Sequence, residues 1–373
     1  MQSNFSYWEH NSYFNAIDLL VVGSGIVGLN TAIQYKKNNP KHKVLVLERG
    51  ILPNGASTKN AGFACFGSPS ELLDDLTTNS ENEVFTLVEK RWKGLQELRK
   101  LIGDENLDFQ NNFGLELFTP TDNELYNSCL EKLEYLNKNL TSIIGRNTYS
   151  TASNSYGFNN ITGIIKNQYE GQIDTGKMMT SLTSLAQSIG IQIINNINVT
   201  ALNDNEKSVE VVTNEIERLQ ARKVVVATNG FAKELLNLDV EPARAQVLIT
   251  KPIDNLPFKG TFHYDKGYYY FRNIHNRVLF GGGRNLDFKA ENTTSLENTP
   301  LIINELNRIL KEVILPNTNY EIDYTWAGIM GVGETKQNIV KHYSKNIICA
   351  VRMGGMGVAI GSLIGKEAAE LLN

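Results

Sequence analysis

Residues 17–48 read IDLLVVGSGIVGLNTAIQYKKNNPKHKVLVLE, and most of the architecture follows from them. Ile17 to Val22 is a short aliphatic and β-branched run, the pattern of a buried parallel strand. Gly23-Ser24-Gly25-Ile26-Val27-Gly28 follows at once, and Leu29 to Tyr35 continues as a helix that Asn38-Asn39-Pro40 breaks. Lys43 to Leu47 is a second strand, ending at Glu48, twenty residues after Gly28. This strand–turn–helix–strand unit with a spaced acid is a dinucleotide-binding fingerprint. Gly23 permits the tight turn, Gly25 lets the backbone approach a pyrophosphate, and Gly28 lets the helix pack on the sheet. The helix N-terminus offers N–H groups and a positive dipole end to the phosphates. Glu48 can accept the hydroxyls of an adenosine ribose. The unit alone does not distinguish NAD from FAD.

The surrounding chain has 373 residues, with 36 Lys+Arg against 40 Asp+Glu and a formal charge of −4. At 41% hydrophobic and 20% charged, it has ordinary globular composition and the length of two or three domains. The mild acidity argues against nucleic-acid binding, which needs clustered Lys and Arg. Five His and three Cys (Cys65, Cys129, Cys349), with no Cys-x-x-Cys pair, exclude zinc ribbons and thioredoxin-like motifs, and we assign no metal site. The N-terminal MQSNFSYWEHNSYF has neither a basic nor an apolar signal region. The longest apolar stretch, Ile17 to Leu29, is interrupted by Asp18, Ser24 and glycines, and falls short of the roughly 20 residues that span a bilayer. The expectation is a cytoplasmic protein without a membrane span.

Further motifs follow in order. Arg49 and a loop through Gly55-Ala56-Ser57-Thr58-Lys59-Asn60-Ala61-Gly62-Phe63 come directly after Glu48. The loop's small residues can lie against a flat ring, and Ser57, Thr58, Lys59 and Asn60 can hydrogen-bond to a cofactor. Gly171-Gln172-Ile173-Asp174-Thr175-Gly176 precedes a helix of about 177–188, capped by Asp174 or Thr175. Val199, a hairpin over 208–217, a strand over 222–226 and the turn Ala227-Thr228-Asn229-Gly230 come next. The chain closes with a strand over 346–351 and Arg352-Met353-Gly354-Gly355-Met356-Gly357-Val358, a glycine-rich turn that opens a final helix.

Together these segments resemble the D-amino-acid oxidase (DAO) superfamily of FAD enzymes, which includes glycine, sarcosine and gamma-glutamylputrescine oxidases. The resemblance implies an α/β fold. A Rossmann-type FAD-binding domain would span 1–80, 148–232 and 322–373. A discontinuous α+β substrate domain on an antiparallel sheet would span 81–147 and 233–321. It also implies cofactor contacts at residues 23–28, Glu48, Arg49 and 57–60, at Val199, at Ala227, Thr228 and Gly230, and at Gly354, Gly355, Met356, Gly357 and Val358. A second glycine-rich helix start suits one FAD rather than one NAD.

Within the expected substrate domain, residues 81–147 read as helices, over 83–102 with Trp92 and Leu95 on one face, and over 123–139. Pro242 to Gln246 is similar to the family's P-x-R-[GA]-Q strand. Gly267 to Arg272 and Arg277 to Arg284 read as a hairpin matching its G-Y-Y-x-x-R and R-x-L-x-G-G segments. Strand alternation puts Tyr268 and Tyr270 on one face and Tyr269 on the other. These tyrosines either pack across strands or wall a substrate pocket. The family's W-x-G-[LF]-R-P stretch, whose Arg binds a substrate carboxylate, is here Trp326-Ala327-Gly328-Ile329-Met330-Gly331. Arg272, Arg284 or Arg352 can substitute for the missing fork. Tyr268, Tyr270, Arg284 and Arg352 are the catalytic candidates.

The resemblance implies oxidation of a C–N bond of an amine or modified amino acid, a hydride passing to flavin N5 and electrons then to oxygen or another acceptor. Weak activity on glycine or simple D-amino acids is expected. Lys59 and Lys336 are candidates to assist reaction with oxygen, and Cys65 and Cys349 are conceivable covalent links. Oxidation of a 2-hydroxy acid and a non-catalytic flavin-binding role are the alternatives. Substrate, acceptor and oligomeric state stay open.

Overall fold

The computed structural model describes residues 5–216 and 218–372. Glu217, the expected end of the 208–217 hairpin, lies outside them, as do residues 1–4 and 373.

Ile17–Val22 lies between Arg218–Val226 and Val44–Leu47, parallel to both. The order across this sheet is Ile339–His342, Ile347–Val351, Arg218–Val226, Ile17–Val22, Val44–Leu47 and Gln192–Ile194. Ile339–His342 runs antiparallel to its neighbour, and the other pairs are parallel. Alternate side chains enter two cores, as a sheet covered on both faces requires. Leu19 and Val21 meet the helices Ile26–Asn38, Thr175–Ser188 and Gly357–Glu370. Leu20 and Val22 meet Val199, Val209 and Val211 of a two-stranded ribbon, Val199–Asp204 with Val209–Thr213, that branches antiparallel from Arg218–Val226. Asp174 caps Thr175–Ser188 by accepting the Lys177 N–H at 2.8 Å.

A second eight-stranded sheet has the order Ile322–Val332, Glu241–Thr250, Arg277–Gly282, Tyr269–Ile274, Thr261–Tyr264, Gly114–Phe118, Gly163–Asn167 and Tyr149–Ala152. Its pairs are antiparallel except Thr261–Tyr264 with Gly114–Phe118. One face carries Phe262, Tyr269, Phe271 and Phe280 under the helix Pro300–Ile309. On the other face, cross-strand register aligns Trp326, Val247, Gly281, Tyr270, His263 and Glu116 in one row.

The second sheet does not follow the expected division of the chain. Tyr149–Ala152, Gly163–Asn167 and Ile322–Val332 all belong to it, although residues 148–232 and 322–373 were assigned to the first domain. The alternating pattern shows that a strand exists but not which sheet accepts it. The expected helix over 123–139 is two, Asn123–Glu131 and Leu133–Ile144, broken at Lys132. The helix Glu81–Ile102 serves both units. Leu87, Leu95 and Leu98 enter the core beneath the first sheet, while Val84, Val88 and Trp92 join a core with Phe118 and Leu136 of the second. Trp92 and Leu95 therefore pack into different cores. Among the described residues no helix is long and apolar enough to cross a membrane.

Candidate active site

A cavity of about 550 Å³ lies between the two sheets. From the first unit it is lined by Gly23, Gly25, Ile26, Val27, Glu48, Arg49, Val199, Ala227 and Thr228, and by Gly354, Gly355, Met356, Gly357 and Val358 of the C-terminal turn. Ser57, Lys59 and Asn60 close one wall, and Tyr268, Tyr270, Arg284 and Arg352 also reach it. Glycine turns more than 300 residues apart therefore face one space.

The first turn is built as its sequence demands. Gly23 has φ +101°, a region that favours glycine. A Cβ on Gly28 would stand 1.9 Å from the Gly23 carbonyl oxygen, so the helix can sit this close only without one. Glu48 is buried, and its Oε2 accepts the Ser24 N–H at 3.1 Å and the Ser24 hydroxyl at 2.9 Å. Ser57 Oγ accepts the Ile26 N–H at 2.9 Å, tying the loop to the helix N-terminus. Asn60 donates to the Ala56 and Ser57 carbonyls and accepts from the Gly62 N–H and the Thr175 hydroxyl, holding the loop's shape. The Arg49 guanidinium lies 3.8 Å over the Phe231 ring.

Four cofactor candidates stay off the cavity wall. Ser24 and Gly28 act behind it, through Glu48 and helix packing. Thr58 is exposed and donates to the Pro53 carbonyl at 2.5 Å. Gly230 is pressed under the strand Ile322–Val332, where a Cβ would meet the Met330 carbonyl oxygen at 2.3 Å. Of the thiols, Cys65 lines the cavity, 3.7 Å from the Met356 sulfur, while Cys349 is buried within its strand. Burial pushes the Cys65 thiol well above its usual range, which disfavours the thiolate that attachment to a flavin would need.

The arginines separate. Arg352 is committed to its surroundings. It pairs with Asp239 and donates to the Gln337 carbonyl at 2.6 Å and the Thr335 hydroxyl at 3.2 Å. This is a structural guanidinium rather than a free fork, which corrects its place among the catalytic candidates. Arg272 is buried off the cavity beside Gly62, and burial pushes it down to about 10 despite Asp174 and Asp108. Arg284 lines the cavity, with no ion-pair or hydrogen-bond partner among the described residues and its Nε buried. Burial lowers its pKa against the opposing influence of Tyr268 and Glu291. Tyr268 and Tyr270 both line the cavity and Tyr269 enters the opposite core, as alternation predicts. Burial pushes the Tyr270 phenol up to about 12. Lys59 and Lys336 reach the cavity too, Lys336 paired with Asp75 at 2.5 Å.

Sequence reading missed a buried histidine on the cavity wall and the acids beside it. His263 lines the cavity, 6% exposed, with Nε2 3.6 Å from Glu170 Oε2. Burial opposes a charge on His263, yet Glu170, Glu71 and Glu116 outweigh it and its pKa is raised. Glu170 Oε1 accepts the Phe66 and Gly67 N–H groups at 2.9 and 3.2 Å. Glu116 is buried beneath the Ser68 and Ser70 hydroxyls, and burial pushes it up to about 7. The one available signal was a histidine in the short TFHY run before the Asp265-Lys266-Gly267 turn, where hairpin register sets it opposite Tyr270.

A family model described as DAO, FAD dependent oxidoreductase, matches residues 18–371. The chain belongs to this family. It is an enzyme, an FAD-dependent oxidoreductase. The bifunctional protein ThiO/ThiG of Synechocystis is 27% identical over 244 residues, 62% of this chain but only 32% of that protein's length. The probable oxidoreductase OrdL of Haemophilus influenzae is 23% identical over 412 residues, covering 99% of this chain and 90% of its own. Glycine oxidase from Bacillus cereus superposes with a TM-score of 0.75 at 15% identity, over 95% of this chain and 94% of that one. L-proline dehydrogenase from P. horikoshii gives 0.73 at 18% identity, over 96% and 93%. These structures share the fold of this DAO enzyme. The residues present also fit FAD. Both glycine turns open on one cavity, and the Thr228 hydroxyl on its wall is buried without a hydrogen-bond partner. The helix beginning at Gly357 carries no side-chain cap, which leaves its first N–H groups for a ligand.

Proposed function

We propose that this enzyme oxidises a C–N bond of an amine or modified amino acid to an imine, which water then hydrolyses. The carrying observation is the single cavity that joins the C-terminal glycine turn to the sheet face bearing Tyr270, His263 and the unpaired Arg284. When bound, FAD supplies a two-electron acceptor for this chemistry. Residues 354–358 and 23–27 would hold it, with Ser57, Lys59 and Asn60 along its edge. Tyr268 and Tyr270 wall the substrate and exclude water, and Arg284 orients an anionic group. Met330 stands where relatives of the amino-acid oxidase type carry the carboxylate-binding Arg, which supports an amine or modified amino acid over glycine or D-alanine. The names of similar proteins, glycine oxidase, L-proline dehydrogenase and D-amino acid dehydrogenase, support C–N chemistry. Electrons would pass to oxygen or another acceptor, with Lys59 the candidate to assist.

The test is anaerobic mixing of the FAD-loaded enzyme with methylamine, benzylamine, sarcosine, L-proline, glycine, D-alanine and lactate, following flavin absorbance. At least one amine or N-substituted amino acid should bleach the flavin, with glycine and D-alanine slow. Bleaching by lactate alone, or by none of these, overturns the reading.

A further inference from the structure

We propose that the His263 imidazole, held in place by Glu170, is the base that takes the proton from the substrate's ammonium group. The inference rests on the amine-oxidising reading of the cavity and deepens it.

Register places His263 directly between Tyr270 and Glu116 on the cavity face of the second sheet. Phe63 packs edge-on against both His263 and Tyr270, at 5.4 and 5.6 Å. Cys65, two residues on, touches Met356 of the C-terminal glycine turn. The imidazole therefore borders the chamber where that turn, Tyr270 and the flavin loop meet. Its Nε2 is buried 3.6 Å from Glu170 Oε2 without a hydrogen bond of its own, which leaves Nδ1 as the nitrogen for the substrate's proton. Glu170 is fixed in turn by two backbone amides. The acids nearest on the wall, and the lysines beside them, are already engaged. Glu71 Oε2 accepts the Ser68 N–H at 3.1 Å, Asp74 pairs with Lys266, and Lys336 pairs with Asp75.

A substrate that binds as its ammonium ion needs such a group. An ammonium nitrogen has no lone pair to support the carbon as hydride departs. Here the N–H bond breaks, its proton going to the imidazole and its electron pair staying on nitrogen. That pair forms the C=N bond as the C–H bond breaks, its hydrogen and two electrons leaving to FAD. Carbon is oxidised and the flavin reduced. The later return of electrons to oxygen or another acceptor closes the cycle.

The groups that face His263 set the sign of its pH dependence. Glu170, Glu71 and Glu116 raise its pKa above 6.5, and burial opposes them. Arg91, whose guanidinium donates to the Phe66 carbonyl at 3.1 Å, is the cation on that wall. Tyr270 and Cys65 stay neutral at working pH. The base is then free only above the raised value.

The experiment compares wild type, His263→Gln and Glu170→Gln, each loaded with FAD, using whichever amine of the panel reduces wild type fastest. Glu170→Gln keeps an acceptor for the Phe66 and Gly67 amides and removes the charge. Wild-type reduction should rise with pH through a limb above 6.5. The limb should move to lower pH in Glu170→Gln. In His263→Gln it should vanish, with reduction at pH 7.5 slower by about 10²–10⁴-fold. Independently of turnover, an imidazole NMR titration assigned by loss of the His263 signal should show its pKa falling in Glu170→Gln. Wild-type reduction rates in His263→Gln, or an unmoved His263 pKa in Glu170→Gln, would overturn the assignment. A wild type that no amine reduces would instead sink the amine reading, and this assignment with it.

Discussion

Arg284 and Arg352 approach the same cavity and make opposite kinds of contact. Arg352 holds the left-handed conformation at φ +67° and is tied by Asp239, Gln337 and Thr335. Removing its side chain strands the Gln337 carbonyl and the Asp239 carboxylate and leaves the left-handed backbone as it is. Arg352→Met should therefore cost about 1–3 kcal/mol in urea unfolding. Arg284 has no hydrogen-bond or ion-pair partner among the described residues to strand, only the exposed Phe288 ring 4.9 Å from its guanidinium. Arg284→Met should leave unfolding within about 0.5 kcal/mol. With an anionic substrate it should raise KM about tenfold or more, the worth of a charge-assisted hydrogen bond. An unchanged KM would remove Arg284 from the substrate site. Both arginines stood out in the chain because each lies beside a glycine run. Which one is tied down depended on tertiary neighbours, above all Asp239, 113 residues from Arg352.

Helices carry the next level of organisation. Glu81–Ile102 crosses Gly357–Glu370 at Gly94, where a Cβ would lie 2.3 Å from the Ala359 carbonyl oxygen. The three nearest atoms, from Ala359 and Ile360, are all backbone, so none can swing aside. Gly94→Ala should push the C-terminal helix outward, cost about 1–3 kcal/mol, and weaken FAD binding because that helix begins in the cavity wall. Flavin fluorescence titration beside thermal unfolding checks both halves. Loss of stability with unchanged FAD affinity would show that the helix start is held by its turn alone. The existence of both helices was legible, the first from its apolar spacing and the second from the glycine-rich turn that opens it. Their crossing was not, because one glycine within Glu81–Ile102 looks the same whether it faces water or a neighbouring backbone.

For the molecule as a whole, Glu116 makes stability depend on pH. Its folded pKa of about 7 lies above the ordinary 4.5, so the folded protein binds that proton more tightly than the unfolded chain. The contribution is complete below pH 4.5 and is lost as pH rises through 7, an amount of order 3 kcal/mol. Glu116→Gln, which stays neutral, should lose less stability between pH 5 and pH 8 than wild type in urea unfolding. Equal losses would show that Glu116 does not control this window. The two-sheet plan surrounding Glu116 was only half visible in advance. Strand–turn–helix chemistry is written within some thirty consecutive residues, so the first two parallel strands, their glycine turn and dinucleotide binding could be read directly, while FAD over NAD rested on the distant C-terminal glycine turn. The sheet that claims Tyr149–Ala152, Gly163–Asn167 and Ile322–Val332, and the meeting of His263, Glu170 and Glu71, could not. Period-two alternation tells a strand which side to bury but not which partner to pair with. A buried charge cluster also carries no local pattern, because its members come from separate segments and are brought together by register and packing.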